Sequence, residues 1–488
     1  MAEPAAVAES APLMAAVERG TVCLVSRLDA DLHGNKGMLA LLSDDRHRDR
    51  FDASELALLD RFLPWTRLAR ARVTDRSACW RTHRHTGRTW FSSRHCCTEV
   101  PAGGPVRRRG ALWSPTRSTA DDLAAPDGGA TLTIVCVDDY RAPARARLAA
   151  HNWDYIEGGS GAELTLDANR QAFDAVHLKP RVLVDVSACS SALQLLGADL
   201  ATPIGVAPTA FHRMAHPDGE CATARGAGAA GALTVVSMFS SRTLEEVAAA
   251  AHCPLWMQLY WLRDRRQLAD LAQRAERAGY RALVLTVDTP QLAQRRRDVR
   301  NAFVLDPDIE PANLPPVHSA AQHHRQEGRS ALAQHAAQSF DASITWADLA
   351  WLREITALPL VVKGILTAED ARLAVEHGAA GVIVSNHGGR QLDGAVPSLV
   401  ALPEVVAAVA GRCPVLVDGS VRSGRDVFVA LALGAGAVLV GRPVLWGLAV
   451  SGAEGVADVL TMLNRELTEV MALAGRPRLT DIDRSAIR

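Results

Sequence analysis

Beyond residue 131 the chain alternates between two kinds of hydrophobic pattern. Eight short, continuous apolar runs occur in order: 203–207 (PIGVA), 233–237 (LTVVS), 255–260 (LWMQLY), 282–287 (ALVLTV), 359–363 (PLVVK), 381–385 (GVIVS), 414–418 (PVLVD) and 437–441 (AVLVG). Runs of this length without polar alternation suit parallel strands buried on both faces. Between them lie stretches at helical spacing, such as 264–278 (DRRQLADLAQRAERA), 368–377 (AEDARLAVEH) and 424–433. Eight strand–helix repeats in one series predict a (β/α)8 barrel, an α/β TIM barrel, rather than a doubly wound sheet. One connection is much longer, from 289 to about 341. An excursion of that length at a barrel's functional face reads as a lid or substrate loop.

No such rhythm precedes it. Residues 54–68 (SELALLDRFLPWTRL) read as one helix, with Ser54 as N-cap and Pro64 as a break. Residues 72–117 are crowded with Arg, His, Trp, Ser and Thr, and 101–129 read as a linker. The expected organisation is therefore a poorly structured N-terminal extension of unassigned role, 1–130, and a barrel domain, 131–488. His83, His85, His95, Cys96 and Cys97 cluster in the extension, but their spacing matches no common zinc module, so no metal is expected.

Composition narrows the function. With 53 Lys and Arg against 54 Asp and Glu, no basic field points to nucleic acid or anionic lipid. The longest apolar run, 427–441, is too short for a membrane span and reads as a buried helix–strand passage. The nine cysteines have no framework spacing, and neither a signal peptide nor a peroxisomal tripeptide is evident, so a cytoplasmic protein is expected.

In a (β/α)8 barrel, chemistry gathers where the strands end. These ends carry Pro208, Thr209 and Ala210; Ser237; Gln258 and Tyr260; Thr286 and Asp288; Lys363; Ser385, His387 and Arg390; Asp418, Gly419 and Arg422; and Gly441 with Arg442. So many charges at such positions are costly unless they meet ligand charge. Glycines beside Arg422 and Arg442 after the last two strands suit a phosphate. Lys363 is placed to stand beside a ring that becomes anionic, and Ser237, Gln258 and Thr286 suit a ring's polar edge. His387 and Arg390 share one Gly-rich turn, a base beside a group for a substrate carboxylate.

The blocks WDYIEGGSG (153–161), APTAFHRMAHPDGE (207–220), QLYWLRD (258–264), LTVDTPQLAQRRRDVRNAF (285–303), VVKGILTAEDA (361–371), SNHGGRQLDGAVP (385–397), LVDGSVRSGRDVF (416–428) and VLVGRP (438–443) carry a resemblance. From about residue 134 to the C-terminus the chain resembles the FMN-dependent 2-hydroxy acid oxidases and dehydrogenases, which include glycolate and lactate oxidases, mandelate dehydrogenase and 4-hydroxymandelate oxidase. QLYWLRD and HRQEGRSALAQH (324–335) are most similar to the hydroxymandelate oxidases.

The resemblance implies roles. His387 removes a substrate proton, from C2 or from the hydroxyl, and Asp288 stabilises the resulting imidazolium. Arg390 and Arg295 hold the carboxylate with the Tyr155 hydroxyl, while Tyr260 bonds the substrate hydroxyl or the developing 2-oxo group. Lys363 stabilises reduced FMN, with Ala207, Pro208, Thr209, Ser237, Gln258, Thr286 and Ser385 around the flavin. Asp418, Gly419, Arg422, Gly441 and Arg442 hold ribityl and phosphate. Relatives are commonly tetramers, so a homo-oligomer is implied.

Alternatives stand beside several of these. Arg295 opens the run RRR, where register alone favours it over Arg296; Tyr155 alone reads as a packed helix aromatic; Asp288 can also cap a helix. Ser420 stands where relatives more often have glycine, and Phe239 where glycolate oxidases have tryptophan. Ala210, Met238, Phe239, Trp261 and Leu292 are expected to shape the side-chain pocket. A lactate-, glycolate- or mandelate-like L-2-hydroxy acid is the implied substrate. O2 is the implied acceptor, which Ala210 favours, against a dehydrogenase serving a quinone or protein, or a flavin-binding partner component of a larger pathway.

Overall fold

The computed structural model describes residues 133–315 and 338–488. The expected helix at 54–68, the His/Cys cluster and the block at 324–335 lie outside the described residues. All described residues fall within the second of the two units into which the chain divides, Ala125–Arg488.

Three helices, α1 (Arg141–Arg147), α2 (Ala150–Glu157) and α3 (Leu164–Asp174), lead to a hairpin of β1 (Leu193–Leu195) and β2 (Ala198–Leu200). The barrel series follows: β3 (Ile204–Val206), α4 (Glu220–Ala229), β4 (Thr234–Ser237), α5 (Leu244–Ala250), β5 (Leu255–Leu259), α6 (Arg265–Arg277) and β6 (Ala282–Thr286). Next come α7 (Arg296–Arg300) within the long excursion and α8 (Asp348–Glu354) after it, then β7 (Leu360–Ile365), α9 (Ala368–Glu376), β8 (Gly381–Val384) and α10 (Ser398–Val409). β9 (Val415–Asp418), α11 (Gly424–Ala432), β10 (Ala437–Val440) and α12 (Arg442–Leu473) complete it.

Strands β3 to β10 close into one barrel, β10 pairing with both β9 and β3, all parallel. Each expected apolar run supplies one strand, within a residue or two at its ends. The reason they carry no polar alternation is now visible. Val235, Val284, Val361, Ile383, Leu416 and Leu439 fill the barrel interior, while their neighbours Val236, Leu283, Val362, Val382, Val417 and Val438 join the layer under the helices. Both faces of each strand are apolar because both are covered. Leu195 and Leu200 of the hairpin join the interior cluster and plug one mouth.

Caps set the helix starts in phase with the strands. Thr243, Asp264, Thr367 and Ser423 accept from backbone N–H groups of α5, α6, α9 and α11. The run 427–441 divides between α11 and β10, as its length implies. Helix α12 is the one described helix long and apolar enough to span a membrane, but Ser451 and Gly452 break it and its core face is buried.

Candidate active site

The strand ends converge on one cleft, partly open to solvent. A row of buried polar groups runs along and behind its wall. Ser237 Oγ donates to Gln258 Oε1 (3.1 Å), and Gln258 Nε2 donates to Thr286 Oγ1 (3.0 Å). Lys363 Nζ donates to Ser385 Oγ (2.8 Å) and pairs with Asp418 (3.1 Å). Strand register aligns these groups, since Ser237 lies opposite Gln258 and Thr286 opposite Lys363.

His387 follows β8 with a positive φ of 60°, a strained setting for any residue but glycine. Its backbone N–H donates to Ser385 Oγ (3.0 Å), which steadies the turn. Gly389 must be glycine, because a Cβ there would lie 2.6 Å from the Leu166 nitrogen. The imidazole is held from two sides: Nδ1 lies 3.0 Å from Asp288 Oδ1, and Nε2 lies 3.4 Å from the Tyr260 hydroxyl. Burial lowers the His387 pKa, with Lys363 and Arg295 acting in the same direction, and Asp288 only partly offsets this. The ring is therefore neutral near pH 7 and able to take a proton at Nε2. For Asp288, burial pushes upward, but His387, Lys363 and Thr289 together hold the carboxyl below its usual value. Burial, reinforced by the Asp288 charge, pushes the Tyr260 phenol well above its ordinary range and keeps it protonated.

Four arginines line the cleft: Arg295, Arg390, Arg422 and Arg442. Arg295, immediately before α7, is buried, and its Nε and Nη1 have no hydrogen-bond partner among the described residues. Arg296 is exposed and Arg297 pairs with Glu163, whereas Arg295 lines the cleft. The Arg295 and Arg390 guanidinium carbons lie 5.6 and 5.0 Å from the Tyr155 ring centroid, and that ring stacks on Phe303. Burial, then repulsion from Arg295, pushes Arg390 down to about 10; burial, then Arg390, pushes Arg442 down to about 9. Arg422 is lowered as well, chiefly by burial. Cations crowded into a buried cleft mark it for anionic ligands.

Most of the predicted groups meet here. Tyr155, Ala207, Pro208, Thr209, Ala210, Ser237, Phe239, Tyr260, Leu292, Arg295, Lys363, His387, Arg390, Asp418, Gly419, Arg422, Gly441 and Arg442 line the cleft. Gln258, Thr286, Ser385 and Asp288 stand behind it and act through Ser237, Lys363 and His387. Two expectations need correction. Met238 and Trp261 do not line the pocket; Met238 is fully buried, its sulfur facing the Tyr260 backbone N–H, and Trp261 packs edge-on against Trp351. Phe211 and Phe340 take their place and were not anticipated. Phe340 stacks on Tyr260 at 4.8 Å, and Phe239 lies 6.1 Å from Phe340 and 6.0 Å from Phe211. No periodic signal marks a lone aromatic at the end of a long excursion. Buried Asp298 was missed too; burial raises its carboxyl, while Arg295 and Arg390 oppose the rise.

The residues fit FMN. Arg422 and Arg442 with Gly419 and Gly441 suit a phosphate, Ala207 to Thr209 and Ser237 a planar ring, and Lys363 a ring that gains negative charge. A Cβ on Gly441 would make only ordinary contact with the side chains of Thr209 (3.6 Å) and Ala207 (3.8 Å).

Comparison with known proteins agrees with this geometry. Residues 144–488 match the family model described as FMN-dependent dehydrogenase. The chain is 49% identical to an L-lactate oxidase of Nostoc over 351 residues, 71% of this chain and 96% of that protein. It is 46% identical to the glycolate oxidase of Spinacia oleracea, over 73% of this chain and 96% of the relative. With the 4-hydroxymandelate oxidase of Amycolatopsis orientalis it shares 48% identity over 70% of its length and 95% of the relative's. A crystal structure of mandelate oxidase with (S)-4-hydroxymandelic acid superposes with a TM-score of 0.69 at 47% identity, covering 71% of this chain and 97% of that one.

Proposed function

The chain belongs to the FMN-dependent dehydrogenase family and catalyses FMN-dependent oxidation of a 2-hydroxy acid; from that premise we propose the roles of its residues and the kind of acid it takes. The single observation that carries the proposal is the convergence of an Asp288-backed His387 with half-buried Arg390 and buried Arg295, two of whose nitrogens have no hydrogen-bond partner among the described residues. Arg295 and Arg390 clamp the substrate carboxylate beside Tyr155. His387 Nε2 accepts a proton from the substrate, and Asp288 stabilises the imidazolium that forms. The Tyr260 hydroxyl, kept protonated, donates to the oxygen on C2. FMN, when bound, would supply the acceptor for the two electrons and the second hydrogen, and Lys363 would place a positive charge beside the ring that gains a negative one.

The acid's side chain meets Ala210, Phe211, Phe239, Leu292 and Phe340. Three phenyl rings at aromatic contact favour an aryl substituent over a methyl or hydrogen, each well-placed aromatic pair adding about 0.5–1.5 kcal/mol. A mandelate-like L-2-hydroxy acid is thus the preferred substrate, oxidised to the 2-oxo acid, with O2 as acceptor giving hydrogen peroxide. A cytoplasmic homotetramer without nucleic-acid or membrane partners completes the proposal, checked by light scattering and cell fractionation. The decisive experiment mixes the flavin-loaded protein anaerobically with (S)-mandelate, L-lactate and glycolate. Flavin absorbance should bleach fastest with mandelate and return rapidly on admitting air. If none of the three acids bleaches it, the proposed roles fail; slow return in air sinks the choice of acceptor.

A further inference from the structure

We propose that the C-terminal turn of α2 holds the arginines of both subsites at once, and that Glu157 is the positioning residue that anchors it. The inference rests on Arg390 as a substrate-carboxylate group. A helix ends with carbonyls that have no partner inside the helix. In α2 the Asp154 carbonyl is taken by the Gly158 N–H (2.8 Å), but those of Tyr155 and Ile156 go to arginines. Arg390 Nη1 donates to Tyr155 O (2.6 Å), Gly158 O (2.8 Å) and, more weakly, Ile156 O (3.4 Å). Arg442 donates from Nε to Ile156 O and from Nη2 to Gly158 O, both at 3.1 Å. Two carbonyls are therefore shared between the carboxylate clamp and the phosphate end of the cleft. The negative end of the helix dipole favours both cations. The turn is tight: a Cβ on Gly158 would lie 2.6 Å from Asp154 O.

Glu157 takes no part in these bonds, yet it is 5% exposed and fully engaged. Its Oε1 accepts from Trp446 Nε1 (2.8 Å), and its Oε2 accepts from Arg141 Nε (3.0 Å). Trp446 lies in the first turns of α12, and its ring stands 4.8 Å from the Arg422 guanidinium carbon. Glu157 thus ties the last turn of α2 to α1 and α12, and a shift of that turn displaces Arg390 and Arg442 together. Substrate and cofactor affinity should consequently move as a pair.

The test compares Glu157→Ala, Glu157→Gln and Trp446→Phe with the parent. FMN affinity is read from fluorescence quenching on titrating the apoprotein. KM and the limiting rate of flavin reduction are read with whichever of the three acids bleaches fastest. Glu157→Ala should weaken FMN binding and raise KM, each about tenfold, as expected for loss of a buried charged hydrogen bond. The limiting rate should change far less. Trp446→Phe keeps the packing and loses one bond, so it should move both constants in the same direction by less, with Glu157→Gln between. If Glu157→Ala does not fold, the two conservative variants carry the test. Movement of one constant alone, or a fall in limiting rate with both constants unchanged, overturns the inference. Arg390→Lys separates the two levels. An unchanged KM in that variant removes the substrate reading itself, whereas a raised KM with inert Glu157 and Trp446 variants removes only the anchor.

Discussion

Along the cofactor wall, Ser237, Lys363, Asp418, Arg422 and Arg442 sit at the ends of β4, β7, β9 and β10 or in the short turns that follow. On the substrate wall, Tyr155, Leu292, Arg295 and Phe340 come from α2 and from the excursion after β6, outside the barrel ladder. The first wall is positioned by backbone pairing that a side-chain change does not disturb. The second depends on loops seated by a few contacts, such as the Tyr155–Phe303 stack and the Phe340–Leu262 bridge. A barrel of this kind keeps its cofactor chemistry on the rigid part and leaves substrate choice to parts that change readily. His387 stands between them, on a turn rooted in β8 but facing Asp288 and Tyr260.

The largest expected effect falls on that junction. His387→Ala should slow anaerobic flavin reduction by about 1000-fold while FMN stays bound, measured by stopped-flow absorbance. In the parent, kcat/KM should rise with pH as His387 loses its proton, with a midpoint below the ordinary histidine value because burial favours the neutral ring. Asp288 raises that pKa, so Asp288→Asn should slow the reaction and move the acid limb to still lower pH. A limb that moves upward contradicts the pairing.

Next in size is the carboxylate clamp. Arg295→Lys keeps the charge but loses the planar fork, and should raise KM about 30-fold with FMN affinity unchanged. Arg296→Lys, on an exposed neighbour, should do neither. Equal effects in the two variants would erase the distinction between the walls.

Smaller still, Phe340→Ala should reduce the preference for mandelate over lactate about tenfold in kcat/KM, since aryl contact is lost and the small substrate loses little. A preference that does not change would remove Phe340 from the pocket's specificity.

The smallest effect tests the rigidity of the cofactor wall. Ser420 has a φ of 59°, a conformation that costs most residues about 1 kcal/mol or more relative to glycine. Ser420→Gly should therefore raise the thermal midpoint slightly without weakening FMN binding. A lower midpoint would show that the Ser420 side chain contributes something its backbone conformation does not reveal.

Much of this architecture was legible beforehand, for definite reasons. A strand buried on both faces must be apolar throughout, so each strand announced itself, and the residue at its end followed by counting. His387, Arg390, Lys363 and Arg442 were found in that way. Glycines with positive φ in SNHGGR had a readable purpose as well. Met238 and Trp261 failed because adjacency to a strand end does not say on which side of the wall a side chain lies. Phe340, Asp298 and the Glu157–Trp446 bond are long-range matters, in which partners 289 residues apart meet only after the barrel closes.

The sequence by itself determined the barrel, its strand ends and the chemistry concentrated there, because hydrophobic period and strand order are local properties of the chain. Only the tertiary structure decided which arginine of RRR is buried, which aromatics line the cleft, and that one helix end holds both Arg390 and Arg442. Those outcomes depend on directions and distances between segments far apart in the chain, which close packing settles.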